Sequence, residues 1–238
     1  MEEKELYKMI EAHEGYVARS FPVLMRKVYV WMTLALVITA FTAYGVANSP
    51  NILLTIFSNR ILFWGLIIAE LIIVFCISAA INRLSLTTAT LLFVLYSVIN
   101  GATLSVIFVI FSPTVITKTF LITAGTFAIM SFIGFRTKTD LSSVGRLLIM
   151  ALVGLIIACV VNMFLKSSTF DYVISIIGVL VFVGLTAYDT QKIKTLLAQN
   201  DTPDEGMQKI ALLGALSLYL DFINLFLYLL RFFGRGDD

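Results

Sequence analysis

Histidine is almost missing from this chain. The single one, His13, lies in a polar N-terminal arm, so no buried imidazole is available as a pH switch. Cysteine is nearly as scarce. Cys76 and Cys159 both fall inside apolar runs, which argues against a disulfide framework and against a zinc site. Charge is thin as well: 13% of the residues are charged, against about 25% in an ordinary soluble domain. No G-x-S-x-G, H-E-x-x-H or phosphate-loop pattern is present, so the expectation is a non-enzyme without a resident cofactor. No cleavable signal pattern opens the chain, because its start is charged and its first apolar run is of full spanning length. The formal net charge of +2 is scattered over short flanks between apolar runs and gives no basis for nucleic-acid binding.

What fills the chain is hydrophobic sequence, 59% of residues, with a mean hydropathy of +0.96. That composition reads as an all-α polytopic membrane protein in the lipid bilayer. A spanning helix needs about 20 mostly apolar residues, and seven such runs are present. They cover about Val28–Ala47, Ile61–Ile81, Leu86–Phe111, Val115–Phe135, Arg146–Leu165, Tyr172–Thr190 with an extension toward Ala198, and Met207–Phe233. Breakers separate them, among them Asn48-Ser49-Pro50 and Ser112-Pro113. Residues 1–27 form a polar arm, with Leu6, Ile10 and Val17 at loosely helical spacing, and residues 28–238 form one seven-helix domain.

The flanks give an orientation. With the N-terminus in the cytoplasm, twelve of the Lys and Arg residues fall on the inner side and five on the outer side. The sixth helix then descends toward the cytoplasm and the seventh rises from it. Asp221 lies roughly 20 Å along the last helix from Met207, at 1.5 Å per residue. If the sixth helix reaches Ala198, Asp189 and Asp221 lie at similar depth in the inner half of the membrane and can meet.

Three acids are embedded in apolar runs: Glu70, Asp189 and Asp221. A charge at mid-membrane costs about 2.5–3.5 kcal/mol on insertion scales, so such residues are functional candidates by default. Around Asp221, helical spacing places Gly214, Ser217, Asn224 and Tyr228 on or near one face. Asp189 has Thr186 three residues before it and Lys192 three residues after it, and an interfacial ion pair with Lys192 is the plainer reading of this acid. Arg83 reads first as a positive-inside anchor. The stripe Phe222, Phe226, Tyr228, Phe232, Phe233 reads as core or lipid contact, and the polar run Asn100–Ser105 is explained by helix packing. Two carboxyls forced together cannot both ionise easily and tend to share one proton. Losing that proton adds repulsion, which drives helices apart or recruits a cation.

Two stretches are similar to a known family. The run Gly178–Lys194, with Leu185-Thr186-Ala187-Tyr188-Asp189-Thr190-Gln191, and the run Ser217–Gly234 resemble the sixth and seventh helices of the transmembrane Bax inhibitor motif family. The resemblance implies seven helices, six wrapped around the C-terminal one. It also implies a pH-sensitive calcium leak channel whose sensor is an aspartate pair, which maps onto Asp189 and Asp221. The same two residues are the weak calcium ligands, and calcium and protons are the transported or sensed ions. Glu70 matches the family's helix-two acid, and Arg83 is the choice for an arginine that latches the pair, with Ser217 and Asn224 as further gating partners. The basic tail of endoplasmic-reticulum members is missing, since the chain ends Gly234-Arg235-Gly236-Asp237-Asp238, which points to a prokaryotic plasma membrane.

Two other readings compete. One is a non-conducting regulator that binds other membrane proteins, such as a quality-control protease. The other is an aspartyl intramembrane protease, whose Tyr-Asp motif is supplied by Tyr188-Asp189 but whose Gly-x-Gly-Asp motif is not supplied by Tyr219-Leu220-Asp221.

Overall fold

In hydrocarbon every backbone N–H and C=O must be bonded inside its own segment, so apolar runs of this length fold as helices. The computed structural model describes residues 3–198 and 205–234, with side chains from Phe21 onward. Its helices are α1 (Glu3–Ala47), α2 (Pro50–Ser58), α3 (Arg60–Ala80), α4 (Leu86–Leu104), α5 (Ile107–Ile110), α6 (Pro113–Arg136), α7 (Ser142–Leu165), α8 (Ser168–Ala198) and α9 (Glu205–Phe233). Seven stretches are long and apolar enough to cross a membrane: Phe21–Ala47, Leu86–Ile110 across α4 and α5, and the whole of α3, α6, α7, α8 and α9.

The breakers of the sequence act as helix starts. Asn59 accepts from the Ile61 and Leu62 N–H groups, Ser85 from Thr88, and Ser112 from Val115 with Pro113 directly after it. α7 ends on Lys166, whose φ of 50° is the left-handed conformation that closes many helices.

Two features go beyond expectation. α1 runs through Pro22 without a break, and Leu24 and Met25, in the arm before Val28, are each only 4% exposed and belong to the core. Hydrophobic contact with the core holds these residues although the flanking arm is polar. The second is α2, a short helix in what reads as a loop, with Pro50 at its first turn and Ile56 buried. α8 does extend to Ala198.

α9 is the centre of the bundle. In its most apolar window 67% of residues are buried, against 44% for α8 and 33% or less for every other span. It packs broadly against α8, α1, α6 and α4, while α3 and α7 complete the shell from outside, chiefly on α4 and α8. Phe222 and Phe226 of the aromatic stripe are core, packed edge-on against Phe120, and Phe222 also against Phe127. Two glycines set close approaches. A methyl group at Gly134 would collide with the backbone of Ala187 between α6 and α8, and one at Gly101 would lie 2.6 Å from the Thr39 carbonyl oxygen between α4 and α1.

Candidate functional site

Asp189 on α8 and Asp221 on α9 lie on the most extensively packed pair of helices. Two close contacts bracket them: Gly214 against the Ile193 side chain on one side, and Gly178 against the Tyr228 ring on the other. Asp221 is 4% exposed and Asp189 half-buried, and the charge of Asp189 acts directly on Asp221. The Asp221 Oδ2 atom is buried without a hydrogen-bond partner among the described protein groups. Two hydroxyls of α8 lie close to Asp189 in sequence. Thr186 and Thr190 of α8 are fully buried; the Thr190 hydroxyl donates to Ser131 of α6 at 3.3 Å, and that of Thr186 to its own helix at Phe182. Among the described residues, the Thr119 hydroxyl of α6 is the other buried side-chain oxygen left without a partner.

The remaining candidates divide. Lys192 is the cation that acts on Asp189, and its ammonium also lies over the Tyr188 ring at 5.9 Å. Arg83 is exposed in the turn after α3 and makes no ion pair with either aspartate. Asn224 spends its amide on the Leu220 carbonyl of its own helix at 2.8 Å. Ser217 is half-buried on α9.

Glu70 belongs to a second buried site. Its two carboxylate oxygens accept from Thr103 at 2.7 Å and from Asn100 at 3.3 Å. Asn100 Oδ1 accepts from the Tyr219 hydroxyl at 2.9 Å, which lies 2.7 Å from the Thr39 hydroxyl; Thr39 in turn bonds the Ser97 carbonyl at 3.0 Å. The chain of bonds therefore ties α3, α4, α9 and α1 together. Two hydroxyl protons serve three short contacts, so one is always shared. Asn100 and Thr103 thus do more than let helices pack, which was the expectation for the Asn100–Ser105 run. Tyr219, Thr39 and Tyr96, whose ring packs edge-on against Tyr219, were not singled out by the sequence. The available signal was an Asn and a Tyr buried inside apolar spans.

The family model described as "Inhibitor of apoptosis-promoting Bax1" matches residues 22–238. The chain belongs to that family. It is also 51% identical over 212 residues to the inner membrane protein YbhL of Escherichia coli K12, covering 89% of this chain and 91% of that one. An uncharacterized protein of Borreliella burgdorferi is 48% identical over 213 residues, covering 89% and 91% of the two chains. An uncharacterized membrane protein of Streptococcus pyogenes serotype M1 is 40% identical over 214 residues, covering 89% and 92%. The match runs from α1 to the end of the chain, so the Bax inhibitor family assignment covers both buried sites. The chain is an integral multi-pass membrane protein of this family.

Proposed function

We propose that this protein is a pH-sensitive calcium leak of a prokaryotic plasma membrane, with Asp189 and Asp221 as its sensor and weak calcium ligands. The observation that carries the reading is the juxtaposition of two carboxylates in the α8–α9 seam, one of them with a buried oxygen that no protein group bonds. In the closed state the pair holds a shared proton. As pH rises that proton leaves, and two like charges in a low-dielectric seam repel. The seam is held by glycine contacts on both sides of the pair, so separation of α8 from α9 opens between them. A cation passing through meets two carboxylates and hydroxyls of Thr186 and Thr190. No group of three or more His, Cys, Asp or Glu side chains that could hold a metal occurs among the described residues, which suits transit better than storage. The reading takes this seam to face the cytoplasm, with the N-terminus on the same side, and the basic residues at the ends of α6, α7 and α8 support it.

The test is calcium flux into proteoliposomes of purified protein across a pH series, beside Asp189→Asn and Asp221→Asn. Each single change is expected to flatten the pH dependence, and the double change to add little, because the two groups act as one unit. A parental pH profile in both variants sinks the paired sensor. Cleavage of model transmembrane substrates that either change abolishes would move the assignment to an aspartyl protease.

A further inference from the structure

A cavity of about 640 Å³ opens at the basic end of the bundle, where α6 ends, α7 begins and the last turns of α8 pass by. Its walls include Lys138, Lys192, Lys194, Asp140, Tyr188 and Ser142. The aspartate pair uses none of these except Lys192, and the hydrogen-bonded site around Glu70 uses none.

The cavity is built rather than incidental. Gln191 grips the loop between α6 and α7 at two points: its amide donates to the Thr139 carbonyl at 2.8 Å, and its oxygen accepts from the Leu141 N–H at 2.8 Å. Lys194 caps the end of α6 by donating to the Phe135 carbonyl at 2.7 Å, so it fixes a wall. The Tyr188 ring is seated directly on Gly145 of α7, where no side chain larger than hydrogen fits without moving the ring. Lys138 and Lys192 are exposed and carry the charge that a ligand meets.

The chemistry of that ligand follows from the balance of charge. Three ammonium groups face one carboxylate. The Ser142 hydroxyl and its N–H, the latter at 2.9 Å, hold the Asp140 carboxyl below its usual range, so it stays ionised and the cavity keeps an excess of two positive charges. Ammonium and phenol donors around such an excess suit a phosphate group. The source of the phosphate follows from position. The cavity lies at the ends of membrane spans, and the same helices turn Phe132, Val144 and Leu147 outward at 63%, 48% and 65% exposure. Arg136 lies across the Phe132 ring in the manner of an interfacial anchor. Acyl chains lying on those side chains bring a headgroup to the cavity mouth, and basic pockets between spans on the cytoplasmic side recognise acidic headgroups.

We propose that this cavity is a headgroup site for an anionic glycerophospholipid, with the phosphate taken by Lys138 and Lys192 and the Tyr188 hydroxyl beside it. Lys192 also acts on Asp189, so an occupied site sits one side chain from the α8–α9 seam.

The experiment uses full-length protein in neutral detergent, titrated with short-chain phosphatidylglycerol, phosphatidylcholine or inorganic phosphate. Bound lipid is counted by native mass spectrometry and protection by thermal unfolding. Phosphatidylglycerol should bind in preference to phosphatidylcholine. Lys138→Gln with Lys192→Gln should weaken it by about tenfold or more, from roughly 1 kcal/mol per lost cation. Arg60→Gln with Lys118→Gln, the same charge change elsewhere on the molecule, should leave it within twofold. Asp140→Asn should tighten binding, a gain that misfolding does not produce. Equal binding of the two lipids, or no loss in the double lysine variant, overturns the site. Protection by inorganic phosphate equal to that by phosphatidylglycerol overturns the lipid and assigns the cavity to a soluble anion.

Discussion

Glu70, half-buried, and Asp221, buried, are both carboxylates among apolar helices, and the protein treats them differently. Both Glu70 oxygens have donors, and the Asn100 that supplies one is itself bonded to Tyr219. Asp221 has a buried oxygen with no protein partner and another carboxylate acting on it. A satisfied polar network in a low dielectric is rigid and specifies one packing. An unsatisfied group stores free energy that a proton, a cation or a helix movement can release. The two sites share α9, with Tyr219 and Asp221 separated by a single residue, Leu220, so one helix is clamped on one face and poised on the other.

The largest expected effect falls on the clamped site. Asn100→Leu keeps the branched shape of the side chain but leaves one Glu70 oxygen without its donor, while the Tyr219 hydroxyl keeps only Thr39. At about 1–3 kcal/mol for an orphaned group, with a hydrogen bond to Tyr219 lost besides, the loss in stability should be about 2–3 kcal/mol, read from thermal or denaturant unfolding in detergent. A neutral result would mean that this site is as unsettled as the aspartate pair, and the contrast between them would fail.

Next come the glycines that set each site's helix spacing. Gly101→Ala pushes α4 from α1 beside Thr39, and Gly134→Ala pushes α6 from α8 beside Ala187. In both, the obstacle is backbone, which cannot rotate away, so a loss of about 1–3 kcal/mol is expected. The two should separate in function. Gly134→Ala should also change the pH dependence of calcium flux, because Ala187 is two residues from Asp189, whereas Gly101→Ala should change stability with little change in that profile.

Tyr219→Phe is smaller again. It removes one hydroxyl and keeps the ring that packs edge-on against Phe93 and Tyr96. Asn100 and Thr39 each lose a partner but remain bonded to Glu70 and Ser97. A loss of about 1 kcal/mol is expected, with the pH profile of flux unchanged.

How far these sites were legible depends on what signals each residue leaves in sequence. Asp189 and Asp221 are charged letters in apolar runs, and the depth comparison that brings them together needs only helix rise and a sixth helix that reaches Ala198. The partners of Glu70 leave no such trace. Thr39, Thr103 and Tyr219 are common in membrane helices as packing residues, and which of them meet is decided by how α1, α3, α4 and α9 rotate about their axes. Periodicity alone does not fix that rotation for a helix apolar on most sides. Arg83 failed as a partner of the pair for a related reason. Its position near a helix end was readable, but not that α3 packs chiefly on α4. The burial of Leu24 and Met25 left no trace either, because they sit among the polar residues of the arm.

The smallest stability effect should be at Asp221, and its sign is the sharpest contrast with Asn100. Asp221→Asn removes no hydrogen bond at Oδ2, because the protein makes none there. It also removes the repulsion with Asp189, so the variant should be as stable as the parent or gain about 1 kcal/mol, as buried charges replaced by neutral groups often do. The gain should depend on pH. At acid pH the parent's pair is joined by its proton and the two proteins should unfold together. As pH rises the parent loses that proton and its α8–α9 seam weakens, while the variant has no second charge to lose, so the gap should widen. Thermal unfolding of both proteins from pH 5 to pH 8 measures this directly. A variant that is less stable than the parent at every pH would show that Asp221 holds the bundle together as Glu70 does, and the poised half of α9 would disappear from the account.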